Sequence, residues 1–179
     1  MYQYSIIIME LLNDENIHNA VNLWCNNKEE AILKYGHISD WDVSNVTNMN
    51  SLFNKMKNFN DCINNWNVSN VSTMNYMFFN APLFNKELNN WNVSNVKNMS
   101  CMFSGATSFN QNINNWNVSN VTSICHMFFN ARTFNQNISQ WDVSNVTNME
   151  YMFYNATSFN QNISNWNVSD ITNINSMFC

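Results

Sequence analysis

The chain has 179 residues, 45% of them hydrophobic and 15% aromatic, which excludes a disordered segment and fits one domain with a sizeable core. Its net charge is −5, with 7 bases against 12 acids and no basic stripe, so a phosphate-neutralising nucleic-acid surface is excluded. The longest apolar run, Ile6-Ile7-Ile8-Met9, is too short for a membrane span and lacks the basic flank of a signal peptide, so no membrane insertion is expected and an intracellular location is favoured over secretion.

Residues 1–40 read as a helical N-terminal cap. Asp14 is placed to cap a helix with Ile17, Ala20, Val21 and Trp24 on one face, and Asn27 to cap a second through Ala31, Ile32 and Tyr35, stopped by Gly36. Half of the chain's acids fall in this segment, namely Glu10, Asp14, Glu15, Glu29, Glu30 and Asp40, against Lys28 and Lys34.

From residue 41 to 179 the sequence repeats. Trp41, Trp66, Trp91, Trp116, Trp141 and Trp166 are spaced by 25 residues with no insertion, giving six units of which the last is incomplete. Numbered from its Trp, each unit has Val at position 3, Ser at 4 and Phe at 13, and each complete unit has Phe-Asn at 19 and 20. With 2 Gly and 1 Pro in the whole chain, Asn is left to make the turns, since it tolerates left-handed backbone.

Within a unit, positions 9, 12, 13 and 16, such as Met149, Met152, Phe153 and Ala156, follow the i, i+3, i+4, i+7 spacing of one helix face. Ser or Thr at position 7 (Thr47, Ser72, Thr122, Thr147, Thr172) is placed to cap that helix, and Ile163, Trp166 and Val168 mark a strand. One strand and one short helix bury their apolar faces only by stacking. The expected fold is therefore an α/β repeat solenoid of leucine-rich-repeat type, with one short strand and one short helix per 25-residue coil, a parallel stacked sheet and the helical cap. Invariant Asn at 20 and Ser at 4 are expected to form ladders that satisfy backbone groups.

The repeat Trp-Asn/Asp-Val-Ser-Asn-Val-Thr-Asn-Met-x-x-Met-Phe-x-x-Ala-x-x-Phe-Asn-Gln-x-Ile resembles the BspA-like family of surface-protein repeats, the mycoplasma lipoprotein-associated type. The lead-in from Trp24-Cys25 to Tyr35-Gly36-His37-Ile38-Ser39-Asp40-Trp41-Asp42-Val43-Ser44 also resembles the start of such arrays in eukaryotic microbes and large DNA viruses. The resemblance covers residues 20 to 179. It implies a leucine-rich-repeat-like solenoid used for adhesion or protein binding, with no catalytic residues to carry over. The sequence departs from bacterial members in having no lipid-attachment cysteine near its start.

No catalytic, metal or cofactor site is expected. His18, His37 and His126 have no ligand-like spacing, and Cys125-His126, adjacent on a helix, would point about 100° apart. Cys25, Cys62, Cys101, Cys125 and Cys179, odd in number, read as free thiols. The leading function is a non-catalytic protein-binding scaffold. Its contact residues are sought where units differ, at positions 11 and 14: Tyr76, Phe79, His126, Phe129, Tyr151 and Tyr154. The alternative for these six is packing on neighbouring coils. The alternative function is a structural or self-assembling, virion-type component, with end-to-end association through the C-terminal coil, where Trp166 to Val168 forms an edge and Met177-Phe178-Cys179 ends the chain.

Overall fold

The computed structural model describes residues 10–178; the Ile6–Met9 run and Cys179 lie outside them. Two helices precede the first coil, α1 (Ile17–Asn26) and α2 (Lys28–Tyr35), followed by a short 3₁₀ turn at Ile38–Asp40. α1 buries Ile17, Ala20, Val21 and Trp24, the apolar face its spacing sets. α2 starts at Asn27, whose Oδ1 accepts from the Glu30 amide at 3.3 Å while its Nδ2 donates to Glu30 Oε2 at 2.8 Å. It ends at Gly36, whose φ of 77° favours a residue without a side chain.

Two details of the cap differ from expectation. Ile32 is 42% exposed, because α2 seats only Ala31 and Tyr35. Asp14 does not cap α1, whose first flanking residue is Asn16 with no side-chain cap bond. Its carboxylate reaches into the first coil instead, accepting from the Thr47 amide at 2.8 Å, the Thr47 hydroxyl at 2.6 Å and the Asn48 amide at 3.0 Å.

The α/β solenoid with leucine-rich-repeat strands, helices and a parallel sheet is overturned. Among the described residues there is no strand and no helix after the cap region, and neighbouring coils share one isolated parallel bridge each, Asn48 to Thr73, Thr73 to Asn98, and onward to Asn173. The segment expected as a strand is a pair of tight turns, closed by Trp66 N to Ile63 O at 3.1 Å and Val71 N to Val68 O at 2.9 Å. The segment expected as a helix cannot be one, because position 11 takes the left-handed conformation in every coil, with φ of 58° at Ser51, 59° at Tyr76, 57° at Cys101, 55° at His126, 53° at Tyr151 and 48° at Ser176.

What the repeat builds is a pile of turns. In the second coil the amides of Met74, Tyr76, Phe78 and Asn80 donate to carbonyls of the third coil, those of Asn98, Ser100, Met102 and Ser104, at 2.8–3.0 Å. The amides of Met77, Phe79 and Ala81 turn back three residues within their own coil at 3.1–3.2 Å. The backbone's polar groups are thus shared between turn and neighbour, which accounts for them without helix or sheet. A helix of two turns would gain little in isolation, since nucleation is costly, and would tie coils together through side chains alone.

Side-chain ladders run beside the backbone one. Position 7 is not a helix cap: Ser72 donates both its amide (2.8 Å) and its hydroxyl (3.2 Å) to Thr47 O, and Lys97, which breaks the Ser/Thr row, keeps the amide half by donating to Ser72 O at 2.8 Å. Position 20 forms a ladder, each Asn amide donating to the side-chain oxygen of the Asn one coil earlier, as Asn110 to Asn85 at 3.0 Å and Asn135 to Asn110 at 2.9 Å. Ser at position 4 does not. Its hydroxyl closes a local turn on the residue at position 2, as Ser69 on Asn67 at 2.7 Å, and the rung belongs to the Asn at position 5, as Asn95 Nδ2 on Ser69 O at 2.7 Å.

The core is made of aromatic columns. Phe53, Phe78, Phe103, Phe128 and Phe153 stack with centroids 5.3–5.7 Å apart, and each lies 3.9–4.0 Å from the position 19 Phe of its own coil. The tryptophans lie parallel, Trp91 on Trp116 at 6.4 Å and 4°. Each indole also has a polar task, since the Nε1 of Trp66, Trp91, Trp116, Trp141 and Trp166 donates to the carbonyl 28 residues earlier, position 23 of the unit two before, at 2.8–3.1 Å. A Phe there would fill the space and leave that bond unmade.

Candidate functional site

The coils are alike inside and differ outside, at positions 11 and 14 above all. Because position 11 has positive φ, Asn or Gly would fit it with least strain, yet it carries Tyr76, His126 and Tyr151 in three coils. Position 14, three residues on, flanks it on the same side of the coil.

The structure brings four of the six candidate residues together. His126 stacks on Tyr151 at 4.9 Å, Phe129 on Tyr154 at 5.1 Å and 9°, and edge contacts at 5.4–6.3 Å join Tyr151 to Tyr154 and Phe129 to Tyr151. All four are half-buried: the rings rest on one another and remain partly open to solvent. Tyr76 and Phe79 form a separate pair, edge to face at 5.5 Å, with Tyr76 40% exposed. Between the two groups lies the third coil, whose small residues Cys101 and Ser104 are buried. A hydrogen bond with the Cys101 thiol pushes the Tyr76 hydroxyl above its ordinary value, and burial pushes the Cys101 thiol up in turn. The surface is a row of aromatics with a shallow step at its third coil.

The remaining chemistry is quiet. Cys25 is pushed up to about 11, first by partial burial of its sulfur and then by the Asp61 carboxylate, which disfavours a thiolate there. His37 closes the 3₁₀ turn through Ser39 and stands edge-on to Trp24 at 4.9 Å. Among the described residues no three His, Cys, Asp or Glu side chains gather as a metal site, and no helix is long and apolar enough to cross a membrane.

One feature was overlooked in the sequence although it is legible there. Positions 15 to 17 of the first coil are Lys55-Met56-Lys57, where later coils have Asn80-Ala81-Pro82, Gly105-Ala106-Thr107, Asn130-Ala131-Arg132 and Asn155-Ala156-Thr157. Aligning the coils on their tryptophans exposes that departure, whereas a search confined to aromatics does not.

A family model described as a Mycoplasma protein of unknown function, DUF285, matches residues 21–131 and 111–179. No curated protein and no solved structure matches the chain.

Proposed function

We propose that this chain, which belongs to the DUF285 family of Mycoplasma proteins of unknown function, is a non-catalytic protein-binding scaffold whose contact surface is the aromatic row of its fourth and fifth coils. The family match agrees with the mycoplasma-type repeat resemblance. The observation that carries the reading is the cluster of His126, Phe129, Tyr151 and Tyr154, half-exposed and mutually stacked, with two of its members at left-handed positions. The stack itself does not require aromatics there, because the first coil has Ser51 and Asn54 at the same two positions. Rigid, partly exposed Tyr and Phe side chains supply contact area at small entropic cost, which is why such residues concentrate where protein surfaces meet.

Recovery of partners from the native source tests it. The parent chain is expected to retain one stoichiometric protein that Tyr151→Ser with Tyr154→Asn, the first coil's residues, releases. Retention of the same protein at the same level by that variant would remove the surface from consideration.

A further inference from the structure

Lys55 and Lys57 stand out on an acidic protein. Both line two adjacent cavities, one of about 470 Å³ walled by Trp24, Lys28, Met56, Asn58, Phe59 and Asp61 where the cap meets the first coil, and one of about 330 Å³ walled by Asn80, Pro82 and Gly105 on the later coils. Both lysines are exposed, and among the described residues the ion pairs are Lys28 with Asp61 and Lys34 with Glu10, so neither Lys55 nor Lys57 is neutralised. The wall beside them is fixed: Lys28 sits 2.9 Å from Asp61 and 4.4 Å above the Trp24 ring, and the Trp24 indole donates to Asp61 at 2.9 Å.

Folding does not call for these lysines. Position 15 is left-handed, with φ of 61° at Lys55 against 52° at Asn80, 73° at Gly105, 57° at Asn130 and 55° at Asn155. The next four coils fill it with the residue types that adopt that conformation most readily, and between the fourth and fifth Asn155 donates to Asn130 in a bond that Lys cannot accept. The first coil thus gives up backbone ease and a polar rung for a cation, and a strained residue kept against both is a pointer to binding.

We infer that Lys55 and Lys57 are a docking site for an acidic peptide segment of a partner protein, one with apolar residues on either side of its carboxylate. Charge complementarity selects the anion. The two cavities, one on each side of the same pair of ammonium groups, select an extended occupant over a compact one, because an extended chain spaces its side chains to reach both. The cavity walled by Trp24, Met56 and Phe59 takes the larger apolar side chain, and the one at Pro82 and Gly105 takes a smaller one. This surface is separate from the aromatic row, so the two bind or fail independently.

The experiment titrates the full chain into a fluorescein-labelled peptide of alternating leucine and glutamate, with the glutamine version of the peptide and inorganic phosphate as comparisons. The acidic peptide is expected to bind, and Lys55→Asn with Lys57→Thr, residues found at these positions in later coils, to weaken it at least about tenfold, the effect of losing one charge-assisted hydrogen bond. The melting temperature of that variant is expected to hold or rise, because Asn suits the left-handed position better than Lys. Tyr151→Ser with Tyr154→Asn is expected to leave peptide binding unchanged. No binding by the parent, equal binding of the glutamine peptide, unchanged affinity of the double lysine variant, or displacement of the peptide by equimolar phosphate would each overturn the proposal, the last in favour of a small-anion site.

Discussion

The carboxylate of Asp14 does for Thr47 what a backbone carbonyl does in every later coil. Thr47 donates its amide and hydroxyl to Asp14 at 2.8 and 2.6 Å, and one coil on, Ser72 donates its amide and hydroxyl to Thr47 O at 2.8 and 3.2 Å. The ladder therefore begins on a side chain of the cap, which supplies the acceptor that a preceding coil would have provided.

Removing that acceptor should loosen the junction between cap and first coil. Asp14→Ala is expected to cost about 1–2 kcal/mol, below the usual range for bonds to a charged acceptor at its upper end because Asp14 is exposed. Burial pushes the Asp14 carboxyl up, but the hydrogen bonds from Thr47 and Asn48 outweigh it and hold it below its ordinary value of 3.8. With a depressed folded pKa, the ionised form stabilises above the unfolded value and its contribution is lost as pH falls through the folded one. The stability gap between the parent and Asp14→Asn, followed by denaturant titration, should be full at neutral pH and close below about pH 4. A gap that stays constant from neutral pH to pH 3 would contradict the assignment.

Trp91→Ala and Phe103→Ala, both in the middle of the array, are each expected to destabilise by about 3–5 kcal/mol through an unfilled cavity. Trp116→Phe separates packing from polarity. It keeps a ring in the column but deletes the indole donor to Leu88 O at 3.0 Å, leaving that carbonyl only the Trp91 amide at 3.2 Å, and should cost about 1–2 kcal/mol. Urea midpoints of the three variants rank them, and parity of Trp116→Phe with the parent would mean the indole ladder carries no stability.

The outer aromatics should matter far less for folding than the inner ones. Phe79→Ser with Phe129→Ser loses the edge contact to Tyr76 and the stack on Tyr154, which are worth about 0.5–1.5 kcal/mol each beyond burial. The double variant is expected to fold with its far-ultraviolet spectrum intact and a modest drop in midpoint. Collapse comparable to Phe103→Ala would place these rings in the core.

Gly105 carries a φ of 73°, and a Cβ on it would lie 2.2 Å from Asn80 Oδ1. Gly105→Ala is therefore expected to destabilise by about 1–2 kcal/mol, through backbone strain plus displacement of the Asn80 side chain. Asn80→Gly in the same chain should relieve the displacement and leave the strain, so thermal melts of the single and double variants should differ. Identical melts would assign the whole cost to the backbone.

Which residues lie inside is legible in the amino-acid pattern. The 25-residue period, the buried Trp, Val, Met and Phe positions, the Asn rungs at position 20 and the helix Ile17–Asn26 follow from spacing, and Lys28–Tyr35 from its Asn27 cap. The pattern also displays Lys55-Met56-Lys57, to any comparison of coil with coil. The backbone between Met74 and Ala81 and its counterparts is set by the stacking of coils, because burial at i, i+3, i+4 and i+7 is the same for a helix and for a run of turns. What separates them is whether the amide of Tyr76 finds a carbonyl in its own coil or that of Ser100 in the next, a choice that exists only once the coils are stacked. The same holds for Asp14, whose sequence neighbours invite a helix cap. Its carboxylate goes to Thr47 because the cap stands where a preceding coil would present a carbonyl, as Thr47 presents its own to Ser72.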